Sequence, residues 1–242
     1  MCDMKGKMFG VLLVLCFQLI CSAQGSTVEV DYSFRIQAEN GDEFTYQSRL
    51  VDNGDQSIFI NLASGTSTAT EQDYKKGVYL DKASDCLRMT MPIFSKDFYV
   101  EERGLSQKFR WELSDDTPKE ILGYQCRSAR IRFRGRDYVA YYASDLLFDA
   151  GPYKFRGLPG LILEIHTVDF RFHYVANAVR IKREKAIIKD PYSRIGLDKF
   201  ITFSEFKTLF LAKLRDAQRK FQSEEKGDVE YSVNDQSMEL AE

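Results

Sequence analysis

Val28-Glu29-Val30-Asp31-Tyr32-Ser33-Phe34-Arg35-Ile36-Gln37 alternates apolar and polar side chains without a break. Successive side chains of a strand point to opposite faces, so a period of two marks one buried face and one wet face. Phe44, Tyr46 and Leu50 continue the apolar beat on even positions. Residues opposite each other in an antiparallel pair share a face, and this sets the register. Ile36 falls opposite Phe44, leaving Glu39-Asn40-Gly41 as a three-residue loop with Gly41 in the left-handed conformation. A two-residue Asn40-Gly41 turn would set Ile36 against Thr45 and expose an apolar face. A bulged hairpin is therefore expected to open the domain.

Short strand-like runs follow at 57–62, 77–81, 87–91, 98–101, 108–113, 121–126, 128–134, 138–143, 161–166 and 171–181. Turn signals such as Asp115-Asp116-Thr117-Pro118 separate them, and the Ser-, Thr- and Gly-rich run 63–70 reads as a loop. With no helices interleaved, such a series belongs to an antiparallel sheet. One helix is strong: Phe203, Phe206, Phe210, Leu214, Ala217 and Phe221 fall three and four apart on one face, behind a Thr202/Glu205 capping box. Such a stripe packs on a sheet. From 223 to 242 the chain turns acidic and is expected to be a disordered tail. The expected fold over 24–222 is mainly β: a single curved, half-barrel-like antiparallel sheet with the C-terminal helix packed on it. A β-sandwich is the alternative.

Residues 1–23 do not read as fold. Lys5 and Lys7 precede a 13-residue apolar run, Met8 to Ile20, and Cys21-Ser22-Ala23 supplies small residues at a cleavage site. That is the layout of a secretory signal peptide, and the run falls short of the ~20 residues needed to span a bilayer. The chain is expected to be exported and periplasmic, with no transmembrane segment after cleavage. The 242 residues carry a net charge of −2, which becomes −3 once Lys5, Lys7 and Asp3 are removed. That balance excludes general nucleic-acid binding, which needs a basic excess. Cleavage also leaves only Cys86 and Cys126 of the 5 cysteines. In an oxidising compartment they can form one disulfide, a stabilisation of about 4 kcal/mol for a loop of this size. Two buried free thiols are the alternative.

Gly151-Pro152-Tyr153-Lys154-Phe155-Arg156-Gly157-Leu158-Pro159-Gly160-Leu161-Ile162-Leu163-Glu164-Ile165 is a loop delivering a core strand. Leu158-Pro159-Gly160-Leu161 suits a type II turn, with Pro and Gly at the places that need them. Residues 157–162 match letter for letter the hexapeptide for which the GLPGLI family is named, and the chain resembles that family. Gly123-Tyr124-Gln125-Cys126 followed by Ala129, and Phe133-Arg134-Gly135-Arg136 with Tyr138 and Ala140, resemble its flanking segments. Phe109 and Trp111 also fit; Tyr141 stands where the family often has Trp. The resemblance covers roughly 85–180. It implies a β-rich periplasmic protein of uncharacterised function, with Gly151, Pro152, Phe155, Gly157, Leu158, Pro159, Gly160, Leu161 and Ile162 as the family motif and no catalytic residues to carry over.

Arg130, Arg132, Arg134 and Arg136 would share one face of a single strand, a basic ridge beside Tyr138 suited to phosphate or carboxylate ligands. Gly135 can split that ridge by turning the chain. His166 and His173 flank a turn, and a symmetric pairing would set them opposite each other with Glu164 on the same face. The two-residue Asp169-Phe170 loop this requires asks Phe170 for a positive φ, so no metal site is expected. No nucleophile elbow, phosphate loop or metalloprotease motif occurs, and no cofactor is expected. A Cys126 nucleophile served by a histidine is the one enzymatic arrangement on hand. The expected role is noncatalytic binding of a hydrophobic or lipid-like ligand between the curved sheet and the helix. The alternatives are an interaction module of an envelope complex, using the 157–162 loop or the basic ridge, and an uncharacterised hydrolase.

Overall fold

Strand β1 (Thr27–Gln37) lies in the middle of the sheet, between β2 (Glu43–Asp52) and β12 (Phe172–Lys182). The computed structural model describes residues 25–224 except Glu39, Ser64, Gly65 and Ser67. The expected signal peptide and the tail beyond 224 lie outside the described residues. On one side of β1 follow β2, β3 (Gln56–Asn61), β4 (Val78–Asp81), β5 (Cys86–Ile93), β6 (Lys96–Arg103) and the two-residue β13 (Phe200–Ile201). On the other follow β12, β11 (Leu161–Thr167), β10 (Arg136–Ala143), β9 (Tyr124–Phe133) and β7 (Glu112–Leu113), with β8 (Lys119–Ile121) also on β9. Every pairing is antiparallel except β13 on β6.

The opening hairpin has the expected register, with Ile36 opposite Phe44 and Gly41 at φ +89°. Two boundaries differ from the sequence reading. Residues 121–126 and 128–134 belong largely to one long strand, β9. The expected strand at 108–113 shrinks to β7, because residues 105–108 wind into a 3₁₀ turn. A short helix, α1 (Glu71–Lys75), follows the 63–70 loop behind a Thr70/Asp73 capping box.

The sheet curls. β6 and β9 stand near its two ends, yet Glu102 of β6 forms an ion pair with Arg134, at the turn after β9. The even positions of β1 line the inner face, where Val28, Val30 and Tyr32 are fully buried. Two elements cover that face. The 144–160 connection between β10 and β11 tucks Leu146, Phe148, Phe155 and Leu158 into the core. Helix α2 (Phe203–Glu224), the expected C-terminal helix, runs two residues into the expected tail. It buries Phe203 and Phe206, the latter edge-on to Phe98 at 6.2 Å. Its capping box forms as read: the Glu205 amide donates to Thr202 Oγ1 and the Thr202 amide to Glu205 Oε2.

The outer face is wet over β1, where Asp31 pairs with Arg49 and Arg180. Over β2–β4 it carries a second small core, Val51, Ile58, Ile60 and Tyr79 beneath Ile188 and Tyr192. The unbroken apolar run Ile58-Phe59-Ile60 reflects burial on both faces.

The expected disulfide does not form. Cys86 and Cys126 are both buried free thiols, on β5 and β9, with seven strands between them in the sheet order. Each fills core space on its own strand, so the alternative reading holds.

Candidate functional site

The inner face is covered unevenly. Cross-strand neighbours on it run Tyr174, Phe34, Tyr46 in one row and Phe172, Ile36, Phe44 in the next. Exposure rises along both rows, from 3% at Tyr174 to 47% at Tyr46 and from 1% at Phe172 to 48% at Phe44. Phe34 stacks on Tyr174 at 4.0 Å and meets Phe172 and Tyr46 at 6.3 Å. Met91 and Phe98 across the sheet are half-buried on the same face, as is Phe210 on α2. The helix stripe fades in step: Phe203 and Phe206 are buried, whereas Phe210 and Leu214 are only half-covered. The inner face thus carries an aromatic surface that becomes uncovered towards the β1–β2 hairpin.

The predicted arginine ridge is split. Arg134-Gly135 forms a tight turn with φ +47° and +78°, and Phe133 pairs with Arg136 across it. Arg130 and Arg132 stay exposed on the outer face, Arg132 held by Asp137 at 2.9 Å. Arg134 and Arg136 are buried. The Arg134 guanidinium sits 3.6 Å from the Phe203 ring centre, and Glu102 joins it to Lys154, whose Nζ is 2.8 Å away. Burial alone would raise the Glu102 carboxyl, but the Lys154 and Arg134 charges outweigh it and hold it below the usual glutamate range. Arg136 heads β10 on the inner face, its guanidinium 4.8 Å from the Phe172 ring centre. Tyr138, also on the inner face, packs against Phe155 at 4.9 Å.

The residues of the 151–162 stretch are largely interior parts of the scaffold. Leu161 and Ile162 are fully buried, Phe155 is 2% exposed, and only Gly157 and Pro159 of the hexapeptide reach the surface. The type II turn does not form. The Leu161 amide donates to Leu146 O, the Gly160 amide donates to Leu158 O, and Gly160 adopts φ +152°. The sequence reading also missed that the motif's cations turn inward. Lys154 meets Glu102, and Arg156 binds Asp85 of the β4–β5 turn, while Trp111 Nε1 donates to Arg156 O at 2.7 Å. Cations interleaved with aromatics in Tyr153-Lys154-Phe155-Arg156 were the available signal.

On the outer face the histidine register set aside in the sequence reading is the one adopted: His166 lies opposite His173. The ladder stops there, so the loop spans Val168 to Arg171 rather than two residues. Phe170 does take φ +55°, and it stacks on His166 at 4.0 Å. An arginine only donates, so Arg35 at 2.6 Å makes His173 Nδ1 an acceptor, and His173 Nε2 carries the proton to Glu164 Oε1 at 3.0 Å. Lys119 Nζ donates to Glu164 Oε2 at 2.6 Å. Burial works against the Glu164 charge, yet His173 and Lys119 keep its carboxyl below the usual range. Among the described residues no group of three or more His, Cys, Asp or Glu is placed to hold a metal. Burial pushes the nearby Cys126 thiol up to about 11, so it is not a ready thiolate.

Neither a protein-family model nor a curated protein matches the chain. Solved structures of PNGF-II in C2 and P21 crystal forms share the fold, at 15% and 14% identity with TM-scores of 0.53 and 0.54. Each comparison covers 77% of this chain and 33% of the other, so this chain spans about a third of PNGF-II. A LolA superfamily protein from Nitrosomonas europaea aligns over 70% of this chain and 90% of its own at 11% identity, with a TM-score of 0.29, too low to establish a shared fold.

Proposed function

We propose that this chain is an exported, GLPGLI-type envelope protein that binds a hydrophobic, lipid-like ligand without transforming it. The uncovering of the inner face towards Phe44 and Tyr46 carries the binding reading. Ligand sites are concave and mostly apolar, and an aromatic wall left half-covered on the inner face of a curved sheet fits that description. The high Cys126 thiol range supports a noncatalytic role. Burial of all of the 157–162 loop but Gly157 and Pro159 takes most of that loop out of reach of a partner. The exported location and the family rest on residues 1–23 and on the 151–165 stretch.

Native mass spectrometry of the purified protein tests the reading. It should show an adduct that organic extraction removes, and the stripped protein should take up decanol. Phe44→Asp should weaken decanol uptake at least tenfold, because it places a charge on the apolar mouth. A protein that carries no adduct and takes up no decanol would remove the reading.

A further inference from the structure

We propose that the outer face carries a second binding site, a cleft that takes an acidic peptide in extended form. It lies on the opposite face from the aromatic surface and stands independently of the hydrophobic-ligand reading. The cleft holds about 690 Å³ between α1 and the 186–194 segment, over a floor of Val51 and Ile58. Tyr74 of α1 forms one wall and Ile187-Ile188-Lys189 the other. Burial along that second wall alternates: Ala186 is half-buried, Ile187 is 89% exposed, Ile188 is buried and Lys189 is exposed. A period of two is the mark of an extended chain. The Ala186 amide donates to Thr27 Oγ1, and its carbonyl accepts from Asn53 Nδ2. Successive residues of an extended chain aim their backbone groups at opposite edges. Those of Ile187 and Lys189 therefore lie on the edge turned away from Thr27 and Asn53. Among the described residues they have no hydrogen-bond partner.

A bare backbone edge beside an apolar cleft is a template for an added strand: main-chain hydrogen bonds hold it, and alternate side chains are read below. Charge selects which strand. The carboxylates bordering the cleft are already held, Glu29 by Lys182 and Arg180, Asp190 by Arg88, and Glu71 by Lys75. Lys189 and Arg194 also border it, both exposed, and form no ion pair among the described residues. The cleft thus offers two cations beyond those that its own acids neutralise. A carboxylate on the incoming strand would complete each, and its apolar side chains would meet Tyr74 and Ile187. The fitting partner is an extended segment that alternates acidic and apolar residues.

Fluorescence anisotropy on the full-length protein tests this with a fluorescein-labelled hexapeptide of alternating glutamate and valine. It should bind about tenfold more tightly than its lysine–valine counterpart. The double variant Lys189→Glu, Arg194→Glu should reverse that preference at an unchanged melting temperature, which shows that the variant folds. N-methylation of every second peptide amide, made in both phases, should abolish binding in one phase and spare it in the other. Equal binding of the two phases would show attraction by charge alone and overturn the added strand. Failure of the acidic peptide to bind would overturn the site and leave the hydrophobic reading standing. Carbodiimide coupling followed by peptide mapping covers the remaining occupant. A link from Lys189 to an acid within 225–242, in one chain or between two, would put the protein's own end in the cleft and overturn the separate partner.

Discussion

Gly160 meets two demands at once. Its φ is +152°, and a Cβ built on it would stand 2.2 Å from the Ala143 carbonyl oxygen and 2.9 Å from Ser144 Cα. Those are backbone atoms at the end of β10 and cannot rotate aside. Gly157, at φ +89°, has only ordinary contacts with Phe109 and Trp111, the nearest at 3.4 Å. Gly160→Ala should therefore cost at least 3 kcal/mol, the range in which strain and overpacking combine, whereas Gly157→Ala should cost about 1–2 kcal/mol. Urea unfolding of the two variants measures the difference, and equal costs would contradict this account. The sequence marked Gly160 as a turn glycine and gave no such reason for Gly157. The reason at Gly160 was hidden, because its obstacle lies 17 residues away in the chain.

Among the elements, the β11–β12 hairpin carries the clearest pH dependence. Burial holds the His166 imidazole below the ordinary histidine range, so the unfolded chain takes up a proton that the folded chain refuses. Stability should fall as pH drops through about 6.5, where an unfolded histidine titrates. A second loss should begin near 4.5, because Glu102 and Glu164 keep their charge in the fold while unfolded glutamates protonate. Melting temperature followed from pH 8 to 4 should decline in two stages. His166→Asn should flatten the upper stage, and an unchanged upper stage would show that another group drives it. Strands and helix were legible here because period two and period 3.6 are local patterns. The Arg130–Arg136 ridge failed because Arg134-Gly135 turns the chain and places Arg136 on the inner face. The His166–His173 register was set aside because the ring stack that holds Phe170 at positive φ forms only once the hairpin is closed.

For the whole molecule, packing rather than a covalent bridge does the holding. Cys86 and Cys126 sit in separate buried places, so a reductant should leave the melting temperature unmoved. A drop of several degrees would reveal a disulfide. The curved sheet was expected from the sequence, but the ion pair that ties its two ends was not, since Glu102 and Arg134 are 32 residues apart and nothing local pairs them. The sheet, the helix and its aromatic stripe were all read from the sequence, but the 144–160 connection that fills the inner face was not.

The place of β1 bears on the order in which the chain can assemble. Its ten-residue ladder with β2 is local and can zip early, but its other edge belongs to β12, with Thr27 opposite Lys182. Until synthesis has passed β12, which ends at Lys182 of the 242 residues, the central strand keeps a bare row of amides and carbonyls. Long-range pairing of this kind slows folding and prolongs exposure to neighbouring chains. A nascent chain would therefore leave this edge open to a chaperone, and the final closure would come as one late, cooperative event.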